Sequence, residues 1–271
     1  MLRDITIGQY FPGDSLIHRL DPRFKIIITF IYIMMLFAGD HIACLSVGAA
    51  FTAAAIILSR IPFKMFVKSV KPLMPFLILT AVLNLFFIGS GEVYFQWKFI
   101  KLTSDGIEVS IFMLIRITLL IMGSSLLTYT TSPITLTDAI ERLLSPLKKL
   151  KVPVHELAMM MSIALRFIPT LIEETDKIMA AQKARGAEID SGSFMTRARN
   201  MIAILVPLFI SAFRRADELA TAMECRCYRG GEGRTRLRQL CSAPRDYAAL
   251  AITIVFYGGV IALGIVLKHA S

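Results

Sequence analysis

The strongest constraint on this chain is a set of apolar runs long enough to cross a bilayer. They are Phe24–Gly39, Ile42–Leu58, Pro72–Gly89, Ile107–Tyr129 and Tyr247–Leu267. A crossing helix needs roughly 20 apolar residues, within a range of about 17–25. Helices are required because each backbone N–H and C=O must find a partner within the segment once water is excluded. Hydrophobic residues make up 55% of the 271, above the roughly 45–50% usual for soluble proteins. A net charge of +10 would suit a nucleic-acid binder in a soluble chain. Here the apolar runs argue for lipid as the partner and against nucleic acid. The first run is short. It crosses if Arg23 and Lys25 snorkel to the interface, or if the first two runs form a tight hairpin through Asp40-His41.

Lysine and arginine placement sets the orientation. The segment 1–25 holds four, 39–41 none, 59–71 four, 90–106 two, 131–246 eighteen and the tail one. Rich and poor segments alternate, which places the N-terminus and the large block in the cytoplasm. Five crossings then leave the C-terminus outside. The first twenty residues carry Arg3, Asp4, Asp14 and Arg19 and no apolar core run, so no cleavable signal peptide is expected. The expected architecture is an all-α integral membrane protein in three parts. Residues 1–130 form a membrane domain with four spans, 131–246 a cytoplasmic helical block, and 247–271 the last span.

Within the block, Pro133 and Pro146 bracket a short amphipathic helix over Thr135–Leu144, with Asp138, Glu141 and Arg142 on its polar side. Pro153 opens a long helix with apolar residues at Leu157, Met160, Met161, Ala164, Phe167, Ile168, Leu171 and Ile178, one helical face. Gly186 ends it. After a turn at Ser191-Gly192-Ser193, a second long helix starts near Phe194 and stops at Gly230-Gly231-Glu232-Gly233. Pro169 and Pro207 should kink the two helices. Arg166 interrupts the first apolar stretch and Arg214-Arg215 ends the second, so both read as helices lying along the membrane face. Met159-Met160-Met161 suits an adaptable contact surface.

The two helices end alike, in Ala184-Arg185-Gly186 and Cys225-Arg226-Cys227. A shift of 41 residues superposes the arginines, and also Asp176 on Asp217 and Ala181 on Ala222. Either arginine alone could complement a helix dipole. Their recurrence between small residues, which leave the guanidinium stem bare, points instead to paired prongs for acidic pockets on another molecule. Glu224 and Arg229 flank the second prong, and Arg116 lies within a span. Arg116 reads either as an internal polar contact, with Glu108 or Asn84 as candidates, or as a contact to a membrane partner.

Catalytic chemistry is missing. There is no G-x-x-x-x-G-K-[ST], and the glycine-rich stretch at 230–235 lacks the lysine and a preceding strand. The four histidines are scattered, and Cys225, Cys227 and Cys241 have no companion to complete a metal site, so no metal is expected. Three of the four cysteines fall in the cytoplasmic block, where thiols stay reduced. A polytopic enzyme acting on lipid headgroups, for which no nucleophile or metal site is found, and a self-contained permease are alternative readings.

The run Gly8-Gln9-Tyr10-x-Pro12-Gly13-x-Ser15-x-Ile17-His18-x-Leu20-Asp21-Pro22-Arg23-x-Lys25, Gln182-Lys183-Ala184-Arg185-Gly186-Ala187, and Ala222-Met223-Glu224-Cys225-Arg226-Cys227-Tyr228-Arg229-Gly230-Gly231 occur in this order. Together they resemble the transmembrane T component, EcfT, of energy-coupling factor transporters, an ABC-type uptake system. The resemblance covers nearly the whole chain and departs at the second motif, where cysteines replace alanine and glycine. It implies a non-catalytic subunit with no cofactor of its own. Two cytoplasmic ABC ATPases holding ATP and magnesium would engage Arg185 and Arg226. A membrane-embedded S component would bring a vitamin or similar micronutrient.

Overall fold

A computed structural model describes residues 10–39, 41–87, 93–97, 100–186, 194–230 and 240–270. The turn expected at 191–193, most of the glycine run at 230–233, and Gly8, Gln9, Asp40 and Ala187 lie outside them. The chain divides into two compact units. A membrane unit holds Gly8–Ala139 and Leu240–Ser271, and the other is built on Ile140–Gln239.

In the membrane unit α1 is Pro22–Ala38, α2 Ile42–Ser59, α3 Phe63–Val70, α4 Met74–Phe87, α5 Ser104–Thr130 and α9 Pro244–Ala270. α6, Pro133–Leu144, holds the boundary between the units. α3 runs through a 3-10 turn at Lys71–Leu73 into α4, so the third apolar helix begins at Phe63 rather than Pro72. The segment expected as a plain loop at 90–106 holds the one exception to the all-α architecture among the described residues. Val93–Trp97 (β1) and Ile100–Thr103 (β2) pair as an antiparallel hairpin, Trp97 opposite Ile100. By length and composition α2, α3–α4, α5 and α9 can each cross a bilayer, and so can Val154–Ala184 in the other unit despite Arg166. α1 has 17 residues, the short end of the crossing range.

α5 packs against α1, α2, α3 and α4, and α9 against α1 and α2. Tyr32, Met35, Leu36, Cys44, Leu45, Leu119 and Val260 form the core, and Ile56, Ile61, Phe66 and Tyr129 a second cluster. Several hydroxyl side chains inside the bundle find partners there. The Tyr32 hydroxyl donates to Leu119 O at 2.8 Å and pairs with Thr52 Oγ1 at 2.7 Å. Thr29, Thr118, Ser124 and Thr253 return their hydroxyls to the carbonyl four residues earlier.

The N-terminal motif is a structural clasp. Asp21 caps α1, accepting from Arg23 N at 2.9 Å, and Arg23 Nη2 meets its carboxylate at 2.6 Å. Asp246 accepts from Asp21 N (2.9 Å) and from Ala243 N (2.6 Å), the second bond closing the first turn of α9. His18 pairs with Ser15 Oγ and Phe11 O. Lys25 corrects the expectation that it snorkels outward. It is buried, and its ammonium donates to His18 O at 3.2 Å, Thr130 O at 2.9 Å and Thr131 Oγ1 at 3.3 Å. Lys25 of α1 thus caps the C-terminal end of α5. Arg116 of α5 in turn donates to Gly39 O at the C-terminal end of α1 and lies over the Phe112 ring, 4.4 Å from its centroid. Two antiparallel neighbours each supply the cation that complements the other's dipole.

Among the described glycines the tightest approach in this core is at Gly123. A Cβ on Gly123 would lie 2.2 Å from Tyr32 Cε1, and the ring is pinned by its hydroxyl. Gly123→Ala gains helix propensity of about 1 kcal/mol but forces overpacking costing about 1–3 kcal/mol. The expected result is net destabilisation, read as a lower Tm in detergent.

Candidate functional site

The second unit contains a 3-10 segment at Ser145–Leu150, α7 (Val154–Ala184) and α8 (Phe194–Cys225). Both long helices continue through their prolines, Pro169 and Pro207. Glu141, expected on a polar face, is instead buried and meets His155 Nδ1 at 3.1 Å, which joins α6 to α7.

α7 and α8 pack antiparallel. Gln182 Nε2, near the end of α7, donates to Ala203 O near the start of α8. Glu174 meets Arg215 at 3.3 Å, a partly exposed pair worth up to about 1 kcal/mol. Its members are also 41 residues apart, the offset that relates the two motifs. At the other end Ile163, Phe167 and Leu171 face Ala216, Leu219 and Met223 across an apolar crevice. Ile163, Phe167, Leu171, Leu219 and Met223 are half-buried there, and Ile204 of α8 is buried. Leu157, Met160 and Met161, on the apolar face expected for α7, remain exposed, as do Ile202, Leu205, Phe209 and Phe213 of α8. Two helices cannot cover apolar faces this wide by themselves.

The antiparallel register sends the two motifs to opposite ends of the pair. Arg185 follows Gln182, level with the early turns of α8, whereas Arg226 follows Met223, level with the early turns of α7. At 1.5 Å per residue they stand on the order of 35 Å apart. Ala184, Arg185 and Gly186 are exposed, as are Glu224, Cys225, Arg226, Cys227 and Arg229. Arg116 is 7% exposed within the membrane unit, so its role is the internal contact described above and not a docking surface.

Backbone geometry repeats with the motif. Gly186 has φ +86° and Cys227 φ +56°, so the residue after each arginine takes the left-handed conformation that terminates a helix. Gly186 N bonds to Lys183 O at 3.0 Å, and Cys227 N to Glu224 O at 2.8 Å. Tyr228 N then reaches back to Met223 O at 3.1 Å, completing a Schellman-type cap. The second helix therefore stops at Cys225, ahead of the glycine run expected to stop it. Each arginine is held by the last turn and projects beside residues too small to shield it.

The profile of the family CbiQ, described as cobalt transport protein, matches residues 13–237. The chain belongs to the CbiQ family. Among family relatives, the energy-coupling factor transporter transmembrane protein EcfT of Ruminiclostridium cellulolyticum is 56% identical over 96% of this chain and 97% of its own length. The protein of the same name from Clostridium kluyveri is 54% identical over 94% and 95%, and that from Bacillus subtilis 47% identical over 94% and 96%. The resemblance carried by the three motifs is thus matched over nearly the full length. The family likeness places the chain with the membrane T components of these transporters.

The left-handed termini generate a prediction. Cys227→Gly relieves the strain that the Cys227 side chain carries at positive φ and keeps the cap, whereas Gly186→Ala introduces a Cβ there and costs about 1–2 kcal/mol locally. Amide exchange should accelerate roughly 5- to 30-fold over the last turn of the affected helix and not in the membrane unit.

Proposed function

We propose that this chain is the coupling subunit of an energy-coupling factor importer, and that Arg185 and Arg226 each dock one of two cytoplasmic ATPases. The observation that carries this reading is the pair of exposed arginines, each one residue before a left-handed helix terminus, at opposite ends of an antiparallel helix pair. Two prongs on the order of 35 Å apart suit two separate sockets better than one. A guanidinium presents a planar fork to carboxylates. Ala184, Gly186, Cys225 and Cys227 leave room for a groove to close around it. The uncovered apolar faces of α7 and α8 are the complementary surface for the membrane and for a substrate-binding S component. The chain's own role is mechanical. ATP and magnesium belong to the ATPases, whose closure would draw the two helix ends together and shift the S component, releasing a vitamin or other micronutrient inside. In this reading the N-terminus and the α7–α8 unit are cytoplasmic and the C-terminus is outside.

Charge reversal tests the prongs. Losing one desolvated charge contact typically costs about 2–5 kcal/mol. Arg185→Glu or Arg226→Glu is therefore expected to weaken ATPase recruitment at least tenfold. The double variant should abolish recruitment while membrane insertion is unchanged. Co-purification of the double variant with two ATPases and normal uptake would refute the assignment.

The thiols provide a second measurement. In a Cys241→Ser background, exposed Cys225 and Cys227 should react rapidly with a maleimide in the free chain and be protected in the assembled transporter. Equal labelling in both states would argue against docking at this end.

A further inference from the structure

The membrane unit contains a crevice of about 300 Å³ that neither the prongs nor the core account for. It lies between the first half of α1, the second halves of α2 and α5 and the first half of α9. Ile17 and Leu20 of the N-terminal segment also line it. Its volume is at the lower end of ligand-sized cavities, about 300–1,000 Å³. The lining is almost entirely apolar. Its polar residues are already satisfied. Thr29, Thr130 and Thr253 bond back to their own helices, and the Lys25 ammonium is held by His18 O and Thr130 O. A ligand inside would find no hydrogen bond, so the crevice selects an apolar body.

The mouth is formed by Ala54 and Leu58 of α2 and Ile252 and Phe256 of α9, all exposed on helices that span the membrane. It therefore opens sideways into the bilayer, where acyl chains are the surrounding medium. Its occupant is drawn from what that medium supplies and must fit a space of this volume. A single acyl chain is narrow enough. Arg60, exposed, follows Leu58 by two residues, and Arg19 adjoins Leu20, with its side chain 57% exposed beside Asp14. Each lies within two residues of a lining residue, and a cation near that end of the crevice would suit a lipid phosphate and favour anionic headgroups.

We propose that this crevice is a binding site for an anionic phospholipid, one acyl chain lying between α2 and α9 and the headgroup held at Arg60. The lipid would fill the gap between α9 and α2 and complete the packing of the last span.

The test uses the full chain in phosphatidylcholine nanodiscs carrying a minority of phosphatidylglycerol with a photoreactive acyl chain. Crosslinks are expected at Ala54, Leu58, Ile252 and Phe256 several-fold above those at Ile78 and Leu79 of α4, which are 60% and 54% exposed against 55% for Ile252. Ala55→Phe, which fills the crevice, should cut those crosslinks at least fivefold and leave α4 labelling unchanged. Should that variant lower the Tm, Ile252→Trp at the mouth serves instead, with the same expected loss. Arg60→Gln should remove the preference for the phosphatidylglycerol probe over its phosphatidylcholine counterpart. Labelling that follows exposure alone, or that survives filling of the crevice, would overturn the site. Equal labelling by both probes in the unmodified chain, or displacement by excess inorganic phosphate, would overturn the anionic-lipid assignment. Loss of the crosslinks in the assembled transporter would show that a partner's side chain is the occupant.

Discussion

The membrane unit depends on a reciprocal exchange of cations between α1 and α5. Lys25 closes the end of α5 through Thr130 O, and Arg116 closes the end of α1 through Gly39 O. The last carbonyls of a helix have no intrahelical donors, and in a bilayer no water replaces them. A donor from the neighbouring helix satisfies such a carbonyl, and its positive charge lies where the dipole is negative. Removing either cation would leave a buried carbonyl unpaired, at about 1–3 kcal/mol. It would also free two helices whose antiparallel alignment the exchange fixes. α5 also packs against α2, α3 and α4, so its alignment beside α1 bears on the rest of the unit.

The same logic explains why the N-terminal motif is so polar for a segment entering a membrane. Asp21, Arg23, Lys25 and Asp246 neutralise one another's demands across residues more than 200 positions apart in sequence. They tie the first helix to the last. By contrast, the described contacts between α7 and α8 include a half-buried apolar crevice, a partly exposed ion pair and a side-chain bond to a carbonyl. A pair that meets through half-buried side chains can change its crossing more readily than one closed around a fully buried core. That is the property required of helices proposed to transmit motion between ATPases and a membrane partner.

Much of this was legible in the sequence. The apolar runs, the two long amphipathic helices and the repeated arginine termini are local patterns, and a helix reports itself through spacing within a few turns. Legibility failed where a residue's partner lies far along the chain. Lys25 reads as a snorkelling cation because its acceptors are at His18, Thr130 and Thr131. Glu141 reads as surface because His155 folds over it. The hairpin at 93–103 was hidden by its shortness, and the stop at Cys227 by the more obvious glycines three residues later. One signal was available and unused: Glu174 and Arg215 are opposite charges at the repeat's own offset of 41.

The sequence by itself determined that the chain is helical and membrane-embedded, with two cationic helix ends in a basic block, because hydrophobic length, periodicity and charge count are properties of contiguous residues. Tertiary structure alone decided that Arg116 and Lys25 face inward, that the two arginines stand at opposite ends of one antiparallel pair, and that four helices leave an apolar crevice open to the bilayer. These depend on which helix lies beside which and in what register. That arrangement is set by satisfying buried polar groups and by close packing at residues such as Gly123, and neither leaves a periodic trace in the chain.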